Sequence, residues 1–207
     1  MKKRVFGYVP SKMDGTEHIF ELDGGKLPEI YNYEDYMSPI LNQGNLSICV
    51  PCSISAYLNW RENLKDGKPK DNKIYLMDIY NCRTNEGDGM SFKEALRYLR
   101  HNGVKSQIGN LKITAYAQVK SIENLKGAIY SNGPCIGALP VYEGDGEFWR
   151  QRYGSEFLGG HAISIVGYDK DGFIIRNSWG TGFGKNGYVH MKYEDFKSFY
   201  EIWTIMD

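Results

Sequence analysis

The chain has 207 residues, with 25 Lys and Arg against 25 Asp and Glu, a formal net charge of +0. That length buries a sizeable core, as one large domain or two small lobes, and the cancelled charge offers no basic surface to nucleic acid or to an anionic membrane. The apolar runs are too short for a spanning helix, and four cysteines are too sparse for a disulfide scaffold.

Residues 1–40 begin with "MKKRVFGYVPSKMDG", a basic start with no continuous apolar run behind it. Pro10, Ser11, Lys12 and Asp14 arrive too early for a secretory signal. This favours a reducing cytoplasm, although a secreted form already trimmed would read the same way. Breakers at Pro10, Gly15, Gly24, Gly25, Pro28 and Pro39 leave no helical period, so residues 1–40 read as an extended arm with short strands.

A helix is expected to begin near Cys49 or Val50, because Pro51 fits only a first turn, where its missing N–H has no partner to lose. Ile54, Tyr57, Leu58 and Leu64 recur at helical spacing, and Gly67 followed by Pro69 stops the element. "SFKE" starts a second helix as a capping box of Ser91 and Glu94, with Phe92, Ala95, Leu96 and Leu99 as its apolar face and Asn102-Gly103 as its end. A third runs from Ser121 to Asn132 with Ile122, Leu125 and Ile129 inward, before Gly133-Pro134. From Cys135 the texture is β: "CIGALPVY", "HAISIVGY", "GFIIRNSW" and "GYVHMKY" are short β-branched or aromatic runs bounded by Gly and Asp. The order gives an α+β fold with a helical lobe over residues 41–108, a strand-rich lobe over 109–207, and a cleft between them.

"CVPC" holds Cys49 and Cys52 three positions apart, which suits either a pair or a single nucleophile. A zinc site needs two more ligands, and Cys82 and Cys135 are isolated. A thioredoxin-type couple needs a strand before the motif. A lone thiol nucleophile needs a thiolate, an imidazole to sustain it, and a group to orient that imidazole. Cys49 sits at a helix N-terminus, where unpaired N–H groups and the macrodipole lower a thiol's pKa. Among the histidines, His18 lies in the arm, His101 ends a helix and His190 alternates within a strand, so each reads as surface or packing. His161 follows Gly159-Gly160 and opens an apolar strand, well placed for a cleft. Asn177, taken singly, is a turn residue before Ser-Trp-Gly.

Taken together, "NQG", a cysteine at a helix start, "GHAISIVGY" and "NSWGTGFGKNGY" in that order resemble the papain-like cysteine protease family, over nearly the whole chain. The resemblance implies the two-lobed papain-like fold, with a helical N-terminal lobe and an antiparallel, β-barrel-like C-terminal lobe. It implies catalysis by Cys49, His161 and Asn177, with Gln43, six positions before Cys49, as an oxyanion donor and Trp179 as the indole shielding the His161–Asn177 bond. Cys52 falls at a core position. Gly87 and Gly89 resemble the stretch that pairs an extended substrate; an ordinary turn is the alternative. Met90, Ala138, Gly160 and Ala162 are expected around the substrate, with Met90, Ala138 and Ala162 lining an apolar S2 pocket or belonging to the core. The implied function is peptide hydrolysis through an acyl-enzyme, with thiol acyl transfer or peptide binding without cleavage as alternatives. No cofactor or metal is implied. The partners implied are a peptide or protein substrate and a proteinaceous inhibitor, with no nucleic acid or membrane, and the chain acting as a monomer.

Departures from the family pattern surround the nucleophile. Leu46 stands where a half-cystine is usual, Ser47 where a glycine is usual, and Val50 where an aromatic is usual. A Cβ at Ser47 narrows the S1 region. The Cys49–His161 separation of 112 is below about 130–150, as trimmed loops would give. The usual long pro-segment is missing, leaving the arm either to shield the cleft or, as the preferred reading, to pack along a lobe.

Overall fold

The computed structural model describes residues 6–207 apart from 68–75, 85 and 145. Its centre is α1 (Cys49–Asp66), in which fourteen of 18 residues are buried. Burial on every side explains why its sequence carries polar residues without a clean apolar stripe. Those polar groups bond to their own helix: Ser53 Oγ donates to Val50 O, Ser55 Oγ to Cys52 O (both 2.9 Å) and Asn59 Nδ2 to Ser55 O (2.8 Å). Ile54, Tyr57 and Leu58 are buried as expected, but Leu64 is 45% exposed, because the last turn runs past the core. Gly67 ends the helix in the left-handed region, at φ 72°. Pro69 lies outside the described residues.

A short helix that the sequence pattern did not reveal, α2 (Leu76–Tyr80), precedes α3 (Phe92–His101). The expected capping box on α3 is only half formed. Ser91 Oγ accepts from Glu94 N–H at 3.3 Å, but the Glu94 carboxylate turns away and accepts from the N–H and hydroxyl of Thr84. The third expected helix is α4 (Ile122–Asn132), capped by Ser121.

The arm contributes β1 (Tyr31–Asn32) to a seven-stranded sheet, and β2 (Val104–Ser106) and β3 (Gly109–Leu111) form a separate hairpin. The main sheet runs β4 (Ala115–Gln118), β9 (Glu201–Met206), β5 (Cys135–Tyr142), β6 (Phe157–Tyr168), β7 (Gly172–Arg176), β8 (Tyr188–Lys192), with β1 pairing β6; all pairings are antiparallel. Central β5 is almost wholly buried, and so are the last eight residues of β6, matching their continuous apolar runs. His161 therefore lies inside a strand that starts at Phe157, not at its mouth. One hydrophobic core spans α1, α3, α4 and the sheet.

Candidate active site

Cys49 is the first residue of α1 and His161 stands on β6, the strand against which that helix packs. The Cys49 thiol is fully buried and faces the backbone N–H of Ala162, next to His161. Cys52 points elsewhere, into a cluster with Ile48, Tyr80, Leu41 and Leu76. All four cysteines are free, and among the described residues no group of three His, Cys, Asp or Glu side chains could hold a metal.

His161 Nε2 lies 2.7 Å from Asn177 Oδ1. The backbone N–H of Ser178 donates to the same atom at 2.8 Å. An amide N–H can only donate, so that atom is the oxygen, and His161 must donate to it from Nε2. The proton is thereby fixed on Nε2, leaving Nδ1 as the nitrogen available for proton exchange. Asn177 sits just past the end of β7, held by its N–H to Gly187 O at 3.0 Å. Trp179 stacks on His161 with ring centroids 4.6 Å apart and planes 25° off parallel, and Phe183 meets Trp179 edge-on at 4.6 Å. Phe148, which sequence reasoning missed, packs on both Trp179 (5.0 Å) and His161 (6.1 Å). Its only sequence signal was the aromatic pair Phe148-Trp149 after a Gly- and acid-rich loop. His18, His101 and His190 lie apart; His190 pairs with Asp169 at 3.0 Å on the surface.

Gln43 is buried and tied to the same loop as Asn177. Its N–H donates to Ser178 O (2.9 Å), its Oε1 accepts from Ser178 Oγ (2.6 Å), and its Nε2 donates to Leu46 O (3.0 Å). The second Nε2 hydrogen makes this bond compatible with a further donation.

The arm runs through the cleft, contrary to the preferred expectation that it packs along a lobe. Met90 N–H donates to Gly7 O (2.8 Å), and Val9 N–H to Met90 O (3.0 Å), a parallel bridge centred on Tyr8 and Met90. Gly7 N–H points at the Cys49 sulfur. A Cβ on Gly7 would lie 2.2 Å from Ser47 O, and one on Gly89 (φ +90°) would lie 2.6 Å from Gly7 O, so two glycines permit this close approach. Phe6 stands edge-on to His161 at 6.1 Å. The space beside Gly87 is open. Met90, Ala138 and Ala162 are buried, and Gly160 faces the Tyr8 ring.

This cover reverses the titration expected of Cys49. Burial pushes the Cys49 thiol up, although the N–H groups of Ala162, Gly7, Val50 and Cys49 itself oppose it. With the arm seated, desolvation outweighs the helix terminus. Burial also pushes Cys52, Cys82 and Cys135 up, each to about 12.

A helix-borne cysteine against a sheet-borne histidine, with an asparagine and a tryptophan beyond it, defines the class of papain-like folds. The chain belongs to the papain-like cysteine protease family: residues 100–202 match the model described as papain family cysteine protease. A gut-specific cysteine proteinase of Caenorhabditis elegans is 34% identical over 86 residues, covering 37% of this chain and 25% of the relative. The chain thus spans about a quarter of that relative's length. Papaya proteinase 4 of Carica papaya is 24% identical across 92% of the chain and 64% of the relative. Among solved structures, xylellain, a cysteine protease from Xylella fastidiosa, superposes with TM-score 0.83 at 22% identity, covering 99% of this chain and 97% of that one. Procathepsin B S9 from Trypanosoma congolense gives 0.78 at 17% identity, covering 99% and 88%. These two likenesses concern the fold.

Proposed function

We propose that the protein is a cysteine peptidase held closed by its own arm. The observation that carries this reading is the Nε2–H bond from His161 to Asn177 Oδ1 under Trp179, beside a cysteine at a helix start. When the arm is withdrawn, water reaches the cleft and the burial that disfavours the Cys49 thiolate is relieved. His161 Nδ1 takes the thiol proton. The thiolate attacks a peptide carbonyl carbon, and Gln43 Nε2 with the Cys49 N–H holds the resulting oxyanion. Collapse breaks the C–N bond, and His161 returns the proton to the leaving amine. Water, deprotonated by His161, then hydrolyses the thioester and restores the thiol.

Gly7 presents its N–H to the sulfur, and its carbonyl accepts from Met90 N–H. Neighbours whose names carry the prefix "pro", such as the procathepsin of Trypanosoma congolense, support the idea of a covered cleft.

The test is alkylation of Cys49 near pH 6, read by mass spectrometry, alongside peptide hydrolysis. An unperturbed thiol, with pKa about 8.5, reacts slowly there. The intact chain should label slowly. Gly7→Ala should label fast at Cys49 and cut peptides, and Gly7→Ala with His161→Ala should do neither. Fast labelling that survives loss of His161 sinks the proposal.

A further inference from the structure

The proposed hydrolysis uses one sulfur of the CVPC stretch, Cys49, and leaves Cys52 idle. Both residues lie in the first turn of α1, three positions apart. Residues at that spacing are neighbours on a helix, with Cβ atoms about 5–6 Å apart, whereas a disulfide needs about 3.5–4.5 Å. Closing that gap asks the turn to yield by about 1 Å. Pro51 brings no N–H to it, and the turn is closed by Cys52 N–H donating to Ile48 O at 2.9 Å. Helical rotamers point a side chain back over the preceding turn, onto its i−3 and i−4 neighbours. For Cys52 these are Cys49 and Ile48. In the reduced chain Cys52 rests with Ile48 and Tyr80, so rotation about one side-chain bond carries its sulfur from Ile48 toward Cys49. A cavity of about 10 Å³ gives it room: Cys52 lines it, and so does Ala162, whose N–H faces the Cys49 sulfur. Burial, and then the charge of Cys49, push the Cys52 thiol up to about 12, with the Ser178 hydroxyl and the Arg176 guanidinium opposing. The two sulfurs lie within electrostatic reach of each other, and Cys52 keeps its proton while Cys49 is a thiolate.

We propose that Cys49 and Cys52 are a redox modification site: a small hydroperoxide oxidises Cys49, and Cys52 is the resolving thiol that closes a reversible disulfide. The Cys49 thiolate attacks one peroxide oxygen. An S–O bond forms, the O–O bond breaks, and the departing hydroxide leaves as water with the proton held on His161. The Cys49 sulfur is then neutral, which removes one of the two restraints on Cys52. Cys52 attacks that sulfur: the S–S bond forms, the S–O bond breaks, and the hydroxyl leaves as water with the Cys52 proton. Two thiols give up two electrons, hydrogen peroxide accepts them, and two waters result. The disulfide halts Cys49 ahead of sulfinic acid, which is irreversible, and a strained bond of this kind is readily reduced. The inference rests on Cys49 as the reactive thiol, and it adds how that thiol is guarded.

The experiment exposes the full chain, intact and carrying Gly7→Ala, to hydrogen peroxide at neutral pH. Gly7→Ala uncovers the sulfur, because its Cβ would lie 2.2 Å from Ser47 O. Remaining thiols are blocked with iodoacetamide under denaturing conditions, and the peptides are mapped by mass spectrometry. The peptide holding residues 49–52 should become lighter by the mass of two hydrogen atoms, with Cys82 and Cys135 still alkylated. The intact chain should reach the same disulfide more slowly. Dithiothreitol should restore Cys49 labelling almost fully in both. In Cys52→Ala the same peroxide should carry Cys49 to the sulfinic acid, so the fraction that dithiothreitol recovers should fall severalfold. Cys52→Ser, which keeps the volume, should behave alike. A merely structural Cys52 would change stability and leave that recovery unaltered. Sulfinic acid at Cys49 with Cys52 present, a disulfide to Cys82 or Cys135 instead, equal recovery with and without Cys52, or no loss of thiol in either chain overturns the inference. Following peptide cleavage by the reduced Gly7→Ala chain separates the two claims. The disulfide without cleavage leaves the inference standing and sinks the peptidase reading; cleavage with Cys49 driven to sulfinic acid does the reverse.

Discussion

At the scale of single residues, the Asn177 oxygen decides what His161 can do. Because Ser178 N–H and His161 Nε2 share it, the imidazole is locked in one tautomer and one plane, and Trp179 lies flat on that plane. Asn177→Ala removes the lock while leaving thiol and imidazole in the chain. Misplacement of a reacting group by about 1 Å costs on the order of 10²-fold, so kcat/KM for a fluorogenic peptide should fall by about that factor in the Gly7→Ala background. Circular dichroism should stay unchanged. An unaltered kcat/KM would mean that Asn177 is a turn residue and nothing more. The sequence named Cys49, His161, Asn177, Gln43 and Trp179 through motif order. It gave no hint of Phe148, because that ring gains its meaning only from neighbours elsewhere in the chain.

At the scale of elements, local chemistry and tertiary packing divide the work. Ser91 caps α3 as its position foretold, and replacing it by Ala should cost about 1 kcal/mol in urea unfolding. A cost near zero would show that packing alone fixes the start of α3. Glu94 behaves differently: the box pattern predicts a bond back to the cap, but the carboxylate serves Thr84, since a loop folded close by offers two donors at once. α1 illustrates the limit of periodicity. A helix buried on all sides has no polar face to display, so its pattern was legible at its ends, Cys49 and Gly67, more than along its length. α2 escaped notice because five residues are too short for a period of 3.6 to register.

At the scale of the whole molecule, the arm joins both halves of the chain. Beyond Tyr8, Ser11 Oγ accepts from Lys93 N–H (3.1 Å), and Lys93 Nζ bonds Asp14 at 2.9 Å and also Glu17. Hydrogen bonding to Thr16 and Lys93 holds the Asp14 carboxyl well below the usual carboxylate range, and bonding to Lys93 lowers Glu17. Depressed carboxylates stabilise the closed arm above their ordinary values of about 4, and that contribution is lost as pH falls through the lowered values. The cleft should therefore remain closed through neutral and mildly acidic pH and loosen only below about pH 4. The effect is small, because exposed pairs are screened. Hydrogen exchange at Val9 and Met90, corrected for intrinsic rates, should show protection falling in that window. Lys93→Ala should lower protection at neutral pH and flatten its pH dependence. A profile identical with and without Lys93 would remove the latch.

The sequence by itself determined the α+β order, the helix starts at Cys49, Ser91 and Ser121, the strand runs after Cys135, and the candidate catalytic residues in their family order. Each is encoded locally, in a cap, a breaker, an alternation or a contiguous motif. Only the tertiary structure decided where the arm goes, which thiol it covers, and that a tyrosine near one end of the chain meets a glutamate near the other. A route for residues 6–22 that has few backbone bonds of its own is set by the surfaces that receive it. Those surfaces exist only once β5, β6 and β9 are side by side.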